Sequence, residues 1–244
     1  MASPRRGIGF VQILPPPIRP VGGFLPLDFS MPGPSLRLFV ALELPDPVRE
    51  SLAAIATLAP QLGRGWTPPR NLHLTLKFLG QVPAEGLEPV SAALRGIPFK
   101  PFVTHPTGFC CFPTPRRARI LAVELADADD HLKTLAAAID TACEPLGFPR
   151  ETRPFRPHIT LARGKPTLPA DVVGRVLGRA DQLFPGPPWT VDRFVLMRST
   201  LGNGPPVYRV VEEFLRLMAP DTSASVRPIP PSRPSPPSSC SPSP

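Results

Sequence analysis

The sequence predicts an α+β fold of two related, pseudo-symmetric lobes, each an antiparallel-rich sheet with helices on its outer side. Three observations lead there. Stretches with apolar residues at every second position alternate with stretches of helical apolar spacing. The tetrad His-apolar-Thr-Leu occurs twice, in "NLHLTLKFLG" starting at Asn71 and in "RPHITLARG" starting at Arg156. No Gly-rich strand-to-helix turn of the dinucleotide or phosphate-loop kind is present, which disfavours a doubly wound nucleotide fold.

Each element has its own signal. Leu36, Leu38, Val40, Leu42 and Leu44 alternate along a first strand, 36–44. Asp46-Pro47 then reads as a helix start, a capping side chain followed by proline at the first helical position. Val48, Leu52, Ile55 and Leu58 follow at helical spacing, and 61–71 read as a loop holding Trp66. The first tetrad strand covers 72–79 and is ended by Gly80; Leu87, Val90 and Leu94 mark a second helix. "FKPFVTHPTGF" is extended and broken by proline, as an edge strand or loop would be. "RILAVEL" (119–125) is a strand, and a helix over 127–146 carries Leu132, Leu135, Ile139 and Cys143 and closes at Gly147. The second tetrad strand covers 156–163, and Val172, Val176 and Leu177 mark another helix. "WTVDRFVLMRST" and "VYRVVEEFLRLM" read as two strands of a hairpin turned by "LGNGPP".

The 244 residues, 42% hydrophobic, suffice for one substantial core or two small lobes. Prolines gather at the ends, eight in residues 1–34 and nine in residues 219–244. These ends cannot build a core, so the expected organisation is a disordered Pro-rich extension 1–35, a folded domain 36–218 and a disordered Pro/Ser-rich tail 219–244. Met31, just before the first strand, is an alternative start to Met1.

Of the formal charge of +8, the N-terminal end holds +2 and the tail +1, which leaves about +5 on the folded part, a mild bias toward polyanionic partners. The four cysteines, Cys110, Cys111, Cys143 and Cys240, form no C-x-x-C pair, and neither a disulfide framework nor a zinc site is indicated. With no membrane span and no secretory leader, the expected setting is reduced and cytoplasmic, and the expected state a monomer.

A strand's side chains alternate, so His73 and Thr75 share one face, as do His158 and Thr160. If the lobes face each other across a pseudo-twofold axis, two imidazoles and two hydroxyls converge in one cleft. That set suits attack on a phosphodiester. One neutral histidine takes a proton from water and one protonated histidine gives a proton to the leaving oxygen. Each threonine hydroxyl donates to a phosphate oxygen where charge builds. Two histidines with no carboxylate in either tetrad make a poor metal set, so neither metal nor other cofactor is expected.

These tetrads, with "RLFVALELP" and the closing "VLMRSTLGNGPPVYRVVEEF", resemble the 2H phosphoesterase superfamily, and more closely its RNA 2′,3′-cyclic phosphodiesterase, or 2′-5′ RNA ligase, family. The resemblance covers 36–218 and implies a bilobal fold with the active site between lobes. It implies His73 as proton donor, His158 as proton acceptor, and Thr75 and Thr160 as phosphate holders. It implies, as substrate, RNA with a 2′,3′-cyclic phosphate end, opened to a 2′-phosphomonoester, with 2′-5′ ligation as the reverse-type reaction. The residues alone treat the two histidines as equivalent. Two alternatives stay open: a 2H phosphodiesterase acting on a small cyclic nucleotide phosphate, and a non-catalytic RNA-binding module.

Further candidates flank the tetrads. Lys77 is expected on the face of His73 and Thr75, within reach of a phosphate. Arg156 is expected on the face of His158 to steer RNA, and Arg163, with the parity of the core face, is expected to swing toward the cleft from the strand's end. Phe78 and Trp66 could stack on a base, with core packing the commoner use of such residues. His105 and His131 lack the tetrad context.

Overall fold

The computed structural model describes residues 33–215. The expected tails, the alternative start at Met31 and Cys240 lie outside the described residues, apart from the last few residues of the N-terminal extension and the first strand's flank. The chain runs β1 (Ser35–Glu43), α1 (Asp46–Ala54), β2 (His73–Pro83), α2 (Leu87–Arg95), β3 (Phe102–Thr104), β4 (Pro106–Phe112), β5 (Ile120–Leu125), α3 (His131–Cys143), β6 (His158–Arg163), α4 (Ala170–Leu177), α5 (Ala180–Leu183), β7 (Trp189–Val191), β8 (Arg193–Thr200) and β9 (Val207–Leu215).

Seven strands form one antiparallel sheet in the order β4-β5-β6-β2-β1-β8-β9. It divides into two half-sheets, β6-β5-β4 and β2-β1-β8-β9, which meet through a single backbone pairing, Leu74 with Ile159. Alternation decides which side of the sheet each residue serves. Leu38, Val40, Leu42, Leu74, Leu121, Val123 and Ile159 are buried on one side against Leu52, Val90, Leu94, Leu132, Ile139 and Val176 of the helices. Each such side chain contributes roughly 1.5–3 kcal/mol of burial. The opposite side has only a small apolar floor of Phe39, Ala41, Val195 and Met197, with Tyr208 packed against it. The sheet is therefore covered on one face and open on the other.

Several boundaries differ from the sequence reading. Asp46 is the first residue of α1 and not its cap; Pro45 precedes it, and the Asp46 carboxylate accepts from Arg49 at 2.5 Å. The helix expected from 127 starts at His131, and the Asp127 carboxylate accepts from the backbone N–H groups of Leu132 (2.8 Å) and Lys133 (3.2 Å). Gly80 does not end the first tetrad strand. It adopts φ +76° at a bulge, and β2 continues to Pro83. "WTVDRFVLMRST" is two strands, because Trp189–Val191 turns away to pair with β3 in a separate two-stranded sheet. "FKPFVTHPTGF" likewise yields β3 and the edge strand β4.

Candidate active site

The two tetrads lie on adjacent central strands. Because β2 and β6 are antiparallel about Leu74–Ile159, the register places His73 opposite Thr160 and Thr75 opposite His158. The four side chains share the open face. The neighbouring strands repeat the same relation: Ala41 and Glu43 of β1 pair with Thr75 and His73, while Ala122 and Glu124 of β5 pair with Thr160 and His158. "FVALEL" (39–44) and "ILAVEL" (120–125) are thus equivalent segments of a duplicated unit, a second internal match that a register-blind reading of the sequence passes over.

Each imidazole is oriented in the same way. Nδ1 of His73 lies 2.8 Å from the carbonyl oxygen of Asn71, and Nδ1 of His158 lies 2.8 Å from that of Arg156. A carbonyl only accepts, so Nδ1 carries the proton in both rings and Nε2 is left to exchange protons. Nε2 of His73 is 3.0 Å from the Thr75 hydroxyl. Asn71 was not a predicted site residue. It is buried, and its side-chain amide donates to the Pro206 carbonyl at 2.7 Å, tying the β8–β9 turn to the backbone that holds His73. Tyr208, also unforeseen, places its ring edge-on to His73 at 5.2 Å, and Phe39 lies 5.0 Å from the same imidazole.

Burial among these rings lowers the His73 pKa below its ordinary 6.5, opposed by the hydrogen bond to Asn71 and reinforced by the charges of Arg163 and His158. Burial raises the Tyr208 phenol, although the charges of Arg163 and Arg37 act the other way. The Cys110 thiol is pushed up to about 12, chiefly by burial, and so is a poor nucleophile.

Bulges decide the fate of the flanking candidates. Between the pairs Ala41–Thr75 and Val40–Lys77, Leu76 is an extra residue in β2. It reverses the alternation, and Lys77 falls on the helix side. Lys77 is buried there, donating to Asp140 and, at 2.9 Å, to the carbonyl of Pro149. The expectation that Lys77 reaches a phosphate is corrected accordingly. Phe78 takes its place on the open face, 60% exposed and 6.1 Å from the ring of Phe39, which also corrects its reading as core. In β6 the extra residue is Leu161, between the pairs Ala122–Thr160 and Leu121–Ala162. The same reversal carries Arg163 to the open side, so it needs no swing from the core face. Arg156 flanks His158: its guanidinium bonds Glu124 at 2.7 Å and sits 5.2 Å over Phe112, whose ring is 5.0 Å from the His158 ring. Trp66 packs against the core with its indole N–H bonded to the Ala59 carbonyl. His131 stacks on Phe102, far along the chain from either tetrad.

A family model described as the 2′-5′ RNA ligase superfamily matches residues 44–203. The chain belongs to the 2′-5′ RNA ligase superfamily. Among curated superfamily relatives, an RNA 2′,3′-cyclic phosphodiesterase of Thermus thermophilus is 35% identical over 188 residues, 73% of this chain and 89% of the relative. A protein of the same name from Archaeoglobus fulgidus is 31% identical over 182 residues, 73% of this chain and 99% of the relative. Among solved structures, E. coli LigT complexed with 3′-AMP matches with a TM-score of 0.61 at 26% identity, covering 76% of this chain and 100% of LigT. The bilobal 2H phosphoesterase-like architecture expected from the two tetrads is the one found.

Proposed function

We propose that the chain hydrolyses RNA 2′,3′-cyclic phosphodiester ends to 2′-phosphomonoesters, with His73 as general acid and His158 as general base. The observation that carries the reading is the pseudo-twofold placement of two Nε2 atoms, each behind a pinned Nδ1–H, on one open face. Curated relatives of the same family, named RNA 2′,3′-cyclic phosphodiesterases, support the substrate.

In the proposed reaction water attacks phosphorus, its proton passes to Nε2 of His158, and the bond from phosphorus to O3′ breaks. His73 delivers its Nε2 proton to O3′. The hydroxyls of Thr75 and Thr160 and the charge of Arg163 stabilise the phosphoryl oxygens as charge develops. Arg156 orients the ribose-phosphate from the His158 side. The lowered pKa of His73 suits a strong acid, and the anionic cyclic phosphate, once bound, favours the protonated form that burial and the neighbouring positive charges oppose. This route uses no metal. Ligation of a 2′,3′-cyclic phosphate end through a 2′-5′ bond is the same chemistry with a 5′-hydroxyl in place of water: its proton passes to His158, the bond from phosphorus to O3′ breaks and His73 protonates O3′; we assign it as a secondary capacity.

We also infer a monomeric working unit in a reducing, cytoplasmic setting. One chain supplies both tetrads, and Cys110, Cys111 and Cys143 are free. Among the described residues no helix is long and apolar enough to cross a membrane.

The test is incubation with an RNA ending in a 2′,3′-cyclic phosphate, with EDTA present, and identification of the product. Conversion to a 2′-phosphate supports the proposal; a 3′-phosphate product, or activity abolished by EDTA, refutes it.

A further inference from the structure

We infer that the body of the RNA leaves the cleft across a cationic end of the second half-sheet formed by Arg116, Arg117, Arg119 and Lys165, so that this surface selects oligonucleotides over mononucleotides. The inference rests on the proposed RNA substrate.

The loop that carries the three arginines is anchored at both ends of β6. It leaves β4 at Phe112, whose ring touches that of His158, and re-enters the sheet at Ile120, the cross-strand partner of Arg163. The loop is held to the segment after β6 by backbone bonds, from Gly164 to the Arg119 carbonyl (2.8 Å) and from Leu168 to the Ala118 carbonyl (2.7 Å). Arg116, Arg117, Arg119, Arg163 and Lys165 are all exposed. Among the described residues none of these five side chains is in an ion pair, whereas Arg156 is already held by Glu124. Arg163 lowers the proton affinity of His73, which places the inner end of this array within electrostatic reach of the reacting groups.

The other end of β5 is less favourable to a polyanion, although Lys133 is bonded to Asp130 there. Asp127, Asp129 and Asp130 follow Leu125, so the strand runs from a cluster of three arginines to a cluster of three carboxylates. A polyanion emerging from between the histidines is attracted at the Arg119 end and repelled at the Asp129 end. Each backbone phosphate neutralised on a single strand adds about 0.7 to the salt slope of binding. An array of three arginines therefore has a measurable signature that a mononucleotide, whose one phosphate stays between the histidines, does not share.

The experiment compares the wild type with Arg116→Ala/Arg117→Ala/Arg119→Ala on two probes, a mononucleotide 2′,3′-cyclic phosphate and an oligonucleotide of about ten residues with the same end, a length that covers a usual single-strand site. The expected result is that the variant's kcat/KM falls for the oligonucleotide only. Its log–log dependence on salt becomes shallower by about 2, which is about 0.7 for each of three lost contacts. Equal salt slopes, or an equal loss on both probes, overturn the inference. If the wild type turns over neither probe, the proposed activity fails and fluorescence anisotropy with the same oligonucleotide decides the surface. Weaker, less salt-dependent binding by the variant supports it, and unchanged binding overturns it.

Discussion

Leu74 and Ile159, the apolar residues at the centres of the two tetrads, are themselves the backbone pair that joins the two half-sheets. The axis of the duplication therefore passes between the histidines. Each imidazole is bonded at Nδ1 to a carbonyl two residues back and has, in its own half, a threonine two residues on and a glutamate as its cross-strand partner; His73 is in addition bonded to its threonine.

The His73 imidazole should titrate below 6.5 in the free protein, followed by NMR. Arg163→Gln and His158→Ala each remove a neighbouring positive charge and should move that pKa upward; a value above 6.5, or no movement in either variant, contradicts the electrostatic account. The folded state binds this proton less readily than the unfolded chain. The contribution to stability is thus complete above pH 6.5 and declines as pH falls toward the folded pKa. In denaturant titrations His73→Asn should flatten that part of the pH dependence.

Lys77→Met should cost stability and spare chemistry. It leaves the Asp140 carboxylate without its buried cation, a loss on the order of 3 kcal/mol. The kcat/KM on a cyclic-phosphate substrate should stay within a few-fold of the wild type at a temperature where the variant is folded. A loss on the order of 10²-fold, the scale of a transition-state contact, would return Lys77 to the site.

Asn71→Ala should lower both stability and turnover. Its amide is the donor to a partly buried carbonyl of the β8–β9 turn, and the lost bond costs about 1 kcal/mol. The backbone that fixes His73 loosens at the same time, so kcat should fall more than KM rises. A variant with unchanged kcat would show that the turn does not position the imidazole.

Much of this was readable from the chain. The tetrads, their strands and the outer helices follow from alternation and spacing alone. The faces of Lys77, Phe78 and Arg163 were not, because one extra residue after each threonine, Leu76 and Leu161, reverses parity, and neither has a composition that signals a bulge. Asn71 and Tyr208 depend on a contact with a hairpin more than 130 residues away in sequence, which no local pattern reports. The match of "FVALEL" to "ILAVEL" was legible, and would have located Glu43 and Glu124 beside the histidines.

Phe78→Ala should leave stability nearly unchanged, since the ring is largely exposed. If the ring stacks on a base of the substrate, KM should rise about tenfold, within the 1–3 kcal/mol of a base–aromatic contact. An unchanged KM for RNA would leave Phe78 outside the binding surface.

The most direct measurement is kcat/KM for RNA 2′,3′-cyclic phosphate hydrolysis by His73→Ala, His158→Ala and the double variant, with folding verified for each. If both imidazoles serve one phosphorus atom, each single change lowers the rate by about 10²–10⁴-fold, and the double variant is little worse than the weaker single one, because the pair acts as a unit. Near-normal activity in either single variant, or losses that multiply in the double, would contradict a shared acid–base pair.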